Sequence, residues 1–308
     1  MGSLSASIKS GGLVDWEIPH FDLSDPAPVG LSADAFDDLN MDYAVVRLGD
    51  RFHLSFGDVA SFRVCFDSKT IELAAASELC SAATLDHLLY DHVIPRIIAA
   101  NGPFVLHGSA VVIAGQLTIF IGETGAGKST LSASLHRAGH QLLGDDAVII
   151  TEAGGGFFGE AVYPSLRLYP ETIEQVFGTD ARTAPMAHYS DKRHVTDFGR
   201  VPKASQRLPV ARIFALAHSD DAPRLQSLTP REACMAMIEQ SFAFDPHDIS
   251  AAARRMQQAS RLAAAVPTQA LAYPHDFAVL HQVRELIEAS LAVSSDAAPP
   301  EHSSESPA

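Results

Sequence analysis

The chain has 308 residues, 47% of them hydrophobic, enough to bury a core and to build one large or two modest domains. A formal net charge of -15 speaks against a nucleic-acid backbone as partner, and no apolar run has the length to span a bilayer. Cys65, Cys80 and Cys234 lack metal-ligand spacing and read as reduced thiols of a cytoplasmic protein.

The opening "MGSLSASIKSGG" has no apolar segment of secretory-leader type, and residues 1–40 are expected to be a flexible lead-in and the start of an N-terminal domain. From Tyr43 onward "YAVVRL", "FHLSF" and "FRVCF" alternate apolar with polar positions, and Gly49-Asp50, Gly57-Asp58 and Asp67-Ser68-Lys69 punctuate them as turns. That pattern predicts a small antiparallel β-rich domain over residues 41–85. In "TLDHLLYDHVIPRIIAA", Leu85, Leu88, Leu89 and Val93 share one helical face, and Pro95 is expected to kink or restart the helix.

A second domain, 86–290, opens with "PFVLHGSAVVIAGQLTIFIG", apolar strands expected to break at His107-Gly108 and at Ala114-Gly115-Gln116. A glycine-rich loop follows, then a helix with Leu131 and Leu135 four apart and Gly139 placed to end it. The next strand lies in "HQLLGDDAVII". Strand, loop, helix and strand in this order are the grammar of a P-loop α/β domain. Farther on, "LPVARIFALAH" reads as a buried strand, and Thr229, Pro230 and Glu232 form a helix-start device. Two more helices are expected near 249–265 and 277–289. The tail, 291–308, is rich in Ser, Pro and Ala and is expected to be disordered.

The loop itself, Gly122-Glu123-Thr124-Gly125-Ala126-Gly127-Lys128-Ser129-Thr130, satisfies G-x-x-x-x-G-K-[ST]. Its glycines let the backbone curl so that several N–H groups converge on phosphate oxygens, and the following helix adds the positive end of its dipole. Lys128 is then placed for the β and γ phosphates and the Ser129 hydroxyl for Mg²⁺, which makes ATP and Mg²⁺ the expected cofactors. Asp145 and Asp146 stand on the very next strand. Two adjacent carboxylates suit phosphoryl transfer, one holding the metal while the other takes a proton from an attacking hydroxyl. No LSGGQ-like stretch of a transport ATPase is present.

From Val105 to Ile150 these residues resemble the catalytic core of bacterial HPr serine kinase/phosphorylase. That family has an H-G pair, then G-x-[ST]-G-x-G-K-S, then G-H-x-L-x-x-D-D; here they stand as His107-Gly108, Gly122 to Ser129, and Gly139-His140 with Asp145-Asp146. The resemblance implies an α/β fold, a mixed sheet with flanking helices, preceded by the small β-rich domain. It further implies Asp145 as base toward a serine hydroxyl, Asp146 and Ser129 as metal ligands, and His107 as the residue that tunes the catalytic aspartate. It also implies a peptide or small-protein acceptor, and oligomers are frequent in the family.

Two departures bear on activity. Thr130 follows the loop where the bifunctional family has Glu, and the stretch tied to phosphorolysis survives only as "YPSLRLYPE", with Arg167 as its counterpart. A one-way kinase is the expectation. "LRLYPE", "LHGSAVVI" and "HSDDAPRLQSLTPREA" look more like a divergent branch that includes the kinases of lasso-peptide gene clusters, which phosphorylate a precursor peptide at its C-terminal serine. Arg167, Lys192 and Arg193 are candidates to meet phosphoryl charge, the last two within a polar stretch, Thr179 to Pro209, expected as a mobile flap. Arg254-Arg255 is expected on a solvated helix face. A nucleotide-sensing regulatory module and a small-metabolite kinase remain alternatives.

Overall fold

The structure is a computed structural model that describes residues 13, 15–21, 43–196 and 207–295. The expected disordered tail lies outside the described residues from 296 onward. Part of the stretch expected as a flexible lead-in packs on the chain. Leu13 is buried, Trp16 meets Phe66 edge-on, and Glu17 bridges in parallel to Thr70.

The alternating segments form four antiparallel strands in sequential order, β1 (Tyr43–Leu48), β2 (Arg51–Phe56), β3 (Ala60–Cys65) and β4 (Thr70–Ala76). One face buries Leu54, Phe56, Phe62, Val64 and Ile71 against the helix that follows. That helix, α1, has three parts: an α segment Ala82–His87, a π-helical segment Leu88–Val93 and an α segment Ile94–Ala100. Pro95 sits in the first turn of the last part, so its missing N–H and its ring fall where the widened π turn gives room. The π segment turns Asp91 and His92 toward a cavity described below.

The second domain is built on a mixed sheet. β5 (Phe104–Ile113) and β6 (Gln116–Ile121) make a hairpin at its centre. β5 runs unbroken through His107-Gly108, against the expected division there. Gly108 instead permits close approach, since a Cβ on it would lie 2.6 Å from the Phe120 carbonyl oxygen. β7 (Gln141–Gly144), β8 (Ala147–Ala153) and β9 (Gly156–Ala161) extend the sheet on one side. β13 (Leu208–His218) pairs in parallel with β6 and with β15 (Thr268–Tyr273), and β14 (Arg224–Ser227) closes that edge. The start of β13 also pairs with β9, so β13, β6, β5, β8 and β9 close on themselves.

The continuous apolar run of β6 fits a strand covered on both faces. One face carries α2 (Lys128–Arg137) and α6 (Leu280–Ser295), with Leu131, Leu135, Val283 and Ile287 buried. The other carries α4 (Pro230–Glu239) and α5 (Ile249–Ala265), with Met237, Ala259 and Leu262 buried. Thr229 and Glu232 form the expected capping box of α4. Between these blocks lie the short β10 (Arg167–Leu168), α3 (Pro170–Phe177), and a hairpin of β11 (Thr183–Ala187) and β12 (Ser190–Val195). Much of the stretch expected as a flap is therefore this hairpin, pinned by β10 pairing with β12; residues 197–206 lie outside the described residues.

Candidate active site

β6 delivers the loop at the end of the sheet, and Gly127 caps α2 in the left-handed region at φ 89. A side chain there is strained by that φ, and its Cβ would come within 2.8 Å of the Tyr273 hydroxyl. Gly127→Ala is expected to cost about 1–3 kcal/mol and to push the loop open. Paired thermal melts and nucleotide titrations check this, with Gly156→Ala as the control, since its backbone is not left-handed and a Cβ there would meet nothing closer than 3.7 Å.

Lys128 is buried, and its ammonium donates to the carbonyls of Gly122 at 2.8 Å and Glu123 at 3.0 Å. Burial lowers its pKa, while Asp145 and Asp146 act the other way. The base of α2 is tied to β5, where Ser109 shares a hydrogen bond of 2.7 Å with Ser132. Loop and helix are thus held to the strand that carries His107.

The Asp145-Asp146 turn joins β7 to β8. Asp146 takes the left-handed backbone conformation (φ 74), unusual for a non-glycine residue, and its carbonyl accepts from Gly108 N–H at 3.2 Å. The two carboxylates point differently. Asp145 is 2% exposed, shares a hydrogen bond with Ser129, and accepts a long contact of 3.5 Å from Arg167 N–H. Asp146 faces the cavity and accepts from Arg167 Nη1 at 2.6 Å. Their protonation diverges accordingly. Burial, then the charge of Asp146, pushes the Asp145 carboxyl up to about 7. Burial works against Asp146 too, but Arg167 and then His107 overcome it and hold it at about 2.

Arg167, 7% exposed on β10, is the hub. Besides Asp146 it pairs with Asp91 and donates to the Tyr163 hydroxyl, and Asp91 in turn bonds His87 one helical turn earlier. Its pKa is raised: burial alone would lower it, and Asp91 and Asp146 outweigh burial. His107 hydrogen-bonds the Asp146 backbone; burial above all, and then Lys128, lowers its pKa to about 4, so the ring is neutral at pH 7. Lys192 lines the same cavity with its ammonium over the Tyr169 ring, whereas Arg193 turns away to Thr183.

The cavity that joins these groups holds about 370 Å³ and takes in the loop, His107, Asp146, Arg167 and Lys192. Of the residues singled out from the sequence, the loop, His107, Asp145, Asp146, Arg167 and Lys192 fall in or beside one place, and Arg193 does not. Sequence reasoning missed the far wall: His87, Asp91, His92 and Arg96 of α1, with Tyr43 and Phe242. The signal available was His87 and Asp91 at i, i+4, followed by His92 and Arg96 at i, i+4, on a helix with one apolar face. For a metal, the donors at hand are the Ser129 hydroxyl and two carboxylates, hard oxygen ligands that suit Mg²⁺. Among the described residues no group of three or more His, Cys, Asp or Glu is gathered to cage an ion. Such a set fits a metal held jointly by protein and nucleotide phosphates.

No family model matches the chain. Curated relatives named HPr kinase/phosphorylase do: the protein of Cupriavidus necator is 34% identical over 142 residues, 42% of each chain. That of Ralstonia pickettii is 33% identical over 146 residues, 44% of each, and that of Mycoplasmopsis pulmonis 38% over 58 residues, 19% of each. The chain is thus HPr-kinase-like over the matched stretch, and its matches span less than half the length of these relatives. A solved structure of HPr(Ser) kinase/phosphatase from Coxiella burnetii matches 62% of this chain and 98% of its own, at 15% identity and TM-score 0.34. No helix among the described residues is long and apolar enough to cross a membrane.

Proposed function

We propose that this protein is an ATP-dependent, Mg²⁺-requiring kinase of the cytoplasm that phosphorylates a serine hydroxyl on a peptide or small protein. The observation that carries this reading is the convergence of the phosphate loop, Asp146 and Arg167 on one cavity, with Asp145 buried next to Asp146 in the same turn. ATP, when bound, supplies the phosphoryl group, and Mg²⁺ supplies charge that offsets its oxygens. The loop N–H groups and Lys128 hold the phosphates, and Lys128 leaves its carbonyl partners to do so. Arg167 and Lys192 stand where equatorial charge develops.

Asp145 accepts the proton of the acceptor hydroxyl. A P–O bond forms at that oxygen as the P–O bond to the leaving ADP breaks. A carboxyl titrating near 7 is matched to this task, and a carboxylate kept ionised by Arg167 is matched to the metal. Ser129, which interacts with Asp145 here, would hold the metal through its hydroxyl. His107 stays neutral and fixes the Asp146 backbone. The altered surroundings of Arg167 and Thr130 in place of Glu favour one-way transfer. The C-terminal serine of a lasso-peptide precursor is the acceptor that the sequence resemblance favours.

Mn²⁺ titration by electron paramagnetic resonance, with an ATP analogue present, tests the site. Asp146→Asn is expected to weaken Mn²⁺ binding at least tenfold and Asp145→Asn to leave it near wild type. The opposite pattern exchanges the two roles, and no loss in either variant removes the metal site from this place.

A further inference from the structure

The far wall of the cavity contains a cation that the chemistry above does not use. Arg96 lies in the last segment of α1 with its guanidinium over the Tyr43 ring at 4.3 Å and the Phe242 ring at 5.3 Å. Its Nη1 donates to the His92 carbonyl at 2.9 Å, while its Nε is shielded from water and has no hydrogen-bond partner. Among the described residues no carboxylate pairs with it, and burial lowers its pKa. A guanidinium nitrogen shielded from water without a partner is costly, and a ligand that supplies an acceptor and the missing charge would offset that cost.

Two more polar atoms of the same helix are shielded and unpartnered, His87 Nε2 and Asp91 Oδ1, and both residues line the cavity. Arg96 lines the same cavity as Lys128, Ser129 and Asp146, so a ligand held by Arg96 shares one compartment with the phosphate loop and a carboxylate.

We infer that this wall is the acceptor site and that Arg96 anchors a carboxylate borne by the acceptor close to its reacting hydroxyl. The inference rests on the kinase reading above and adds to it the recognition element. A monoanion is indicated because one guanidinium, set among the aromatic rings of Tyr43 and Phe242, offers a single fork of donors. A hydroxyl and a carboxylate within one small compartment describe a hydroxy acid. Its two sources are a free small molecule and a chain that ends in serine. The β-rich domain then has a task, because Tyr43 and Phe56 close the compartment that a bare P-loop domain leaves open.

The test is calorimetric binding, with Mg²⁺ and ADP present, of N-acetyl-serine and N-acetyl-serinamide, of free serine, and of a serine-ending peptide as acid and as amide. In the wild-type protein at least one acid is expected to bind about tenfold or more tighter than its uncharged partner. In Arg96→Gln that ratio falls to about one, with nucleotide affinity unchanged, and Arg96→Lys restores part of it. The peptide acid binding well above the small acids marks a chain terminus, and the reverse marks a free hydroxy acid. Equal binding of acid and amide, binding of none, or a preference that survives in Arg96→Gln overturns the inference. The kinase reading is scored separately. Phosphate transferred to acid and amide alike sinks only the Arg96 anchor, while a clear acid preference with no transfer to any probe sinks only the kinase.

Discussion

Asp145→Asn is expected to lower turnover about a thousandfold, within the range that general acid–base residues contribute, while nucleotide binding stays near wild type. The loop and Lys128 are untouched by the change, and Asn keeps the shape and the hydrogen bond to Ser129. The same substitution carries a second, independent signature. Asp145 titrates near 7 in the folded protein, above the ordinary carboxylate value, because of burial and then Asp146. A carboxyl raised in this way contributes stability only at low pH, and that contribution is lost as pH rises through 7. Asn escapes the loss. The unliganded variant should therefore melt higher than wild type at pH 8, with the difference shrinking toward pH 5. Melting curves in chelator at both pH values check it; a variant less stable at pH 8 contradicts the buried, charge-strained Asp145 described here.

Arg167→Ala should be the most damaging substitution for the fold. It leaves Asp91 buried without its guanidinium and strips Asp146 of its nearest cation, and breaking a buried pair in this way costs about 3–5 kcal/mol. For a chain of this size the fall in Tm is on the order of 10 °C. The deficit should narrow in acid. Asp146, held at about 2, gives the wild type stability that is present above about pH 4 and lost as pH falls through 2. Arg167→Lys keeps the charge but not the planar fork, and it should recover part of the stability and little of the turnover. An Arg167→Ala protein as stable as wild type would mean that the Asp91–Arg167–Asp146 chain does not hold α1 to the catalytic domain.

The local parts of this structure were the legible ones. Gly122 to Thr130 announces itself because phosphate binding needs glycines and a lysine at fixed spacing on one short loop. Asp145 and Asp146 follow within one βαβ unit, so their proximity to the loop was readable as well. The small antiparallel sheet was visible in the period-two pattern from Tyr43. What could not be read depends on contacts distant in sequence. Gly108 looked like a chain break, and only the closeness of the Phe120 carbonyl shows why a glycine continues the strand. Arg167 was a candidate without partners until α1 brought Asp91 beside it. Lys192 and Arg193 looked equivalent in a polar stretch, and the β11–β12 hairpin sends one to the cavity and the other to Thr183. Arg96 drew no reading from the sequence, because nothing in a linear pattern shows the rings of Tyr43 and Phe242 around it.

The account as a whole stands on phosphoryl transfer to an acceptor that enters this cavity. The most direct measurement is intact-mass spectrometry of an acceptor panel after incubation with the protein and Mg-ATP. The panel holds peptides that end in serine, a small HPr-type protein and free hydroxy acids, each run in parallel with Asp145→Asn and Lys128→Ala. The prediction is one phosphate added to a serine-bearing acceptor by the wild type and by neither variant. An acceptor phosphorylated equally well by Asp145→Asn, or a panel left unmodified by a protein that binds Mg-ATP, would contradict it.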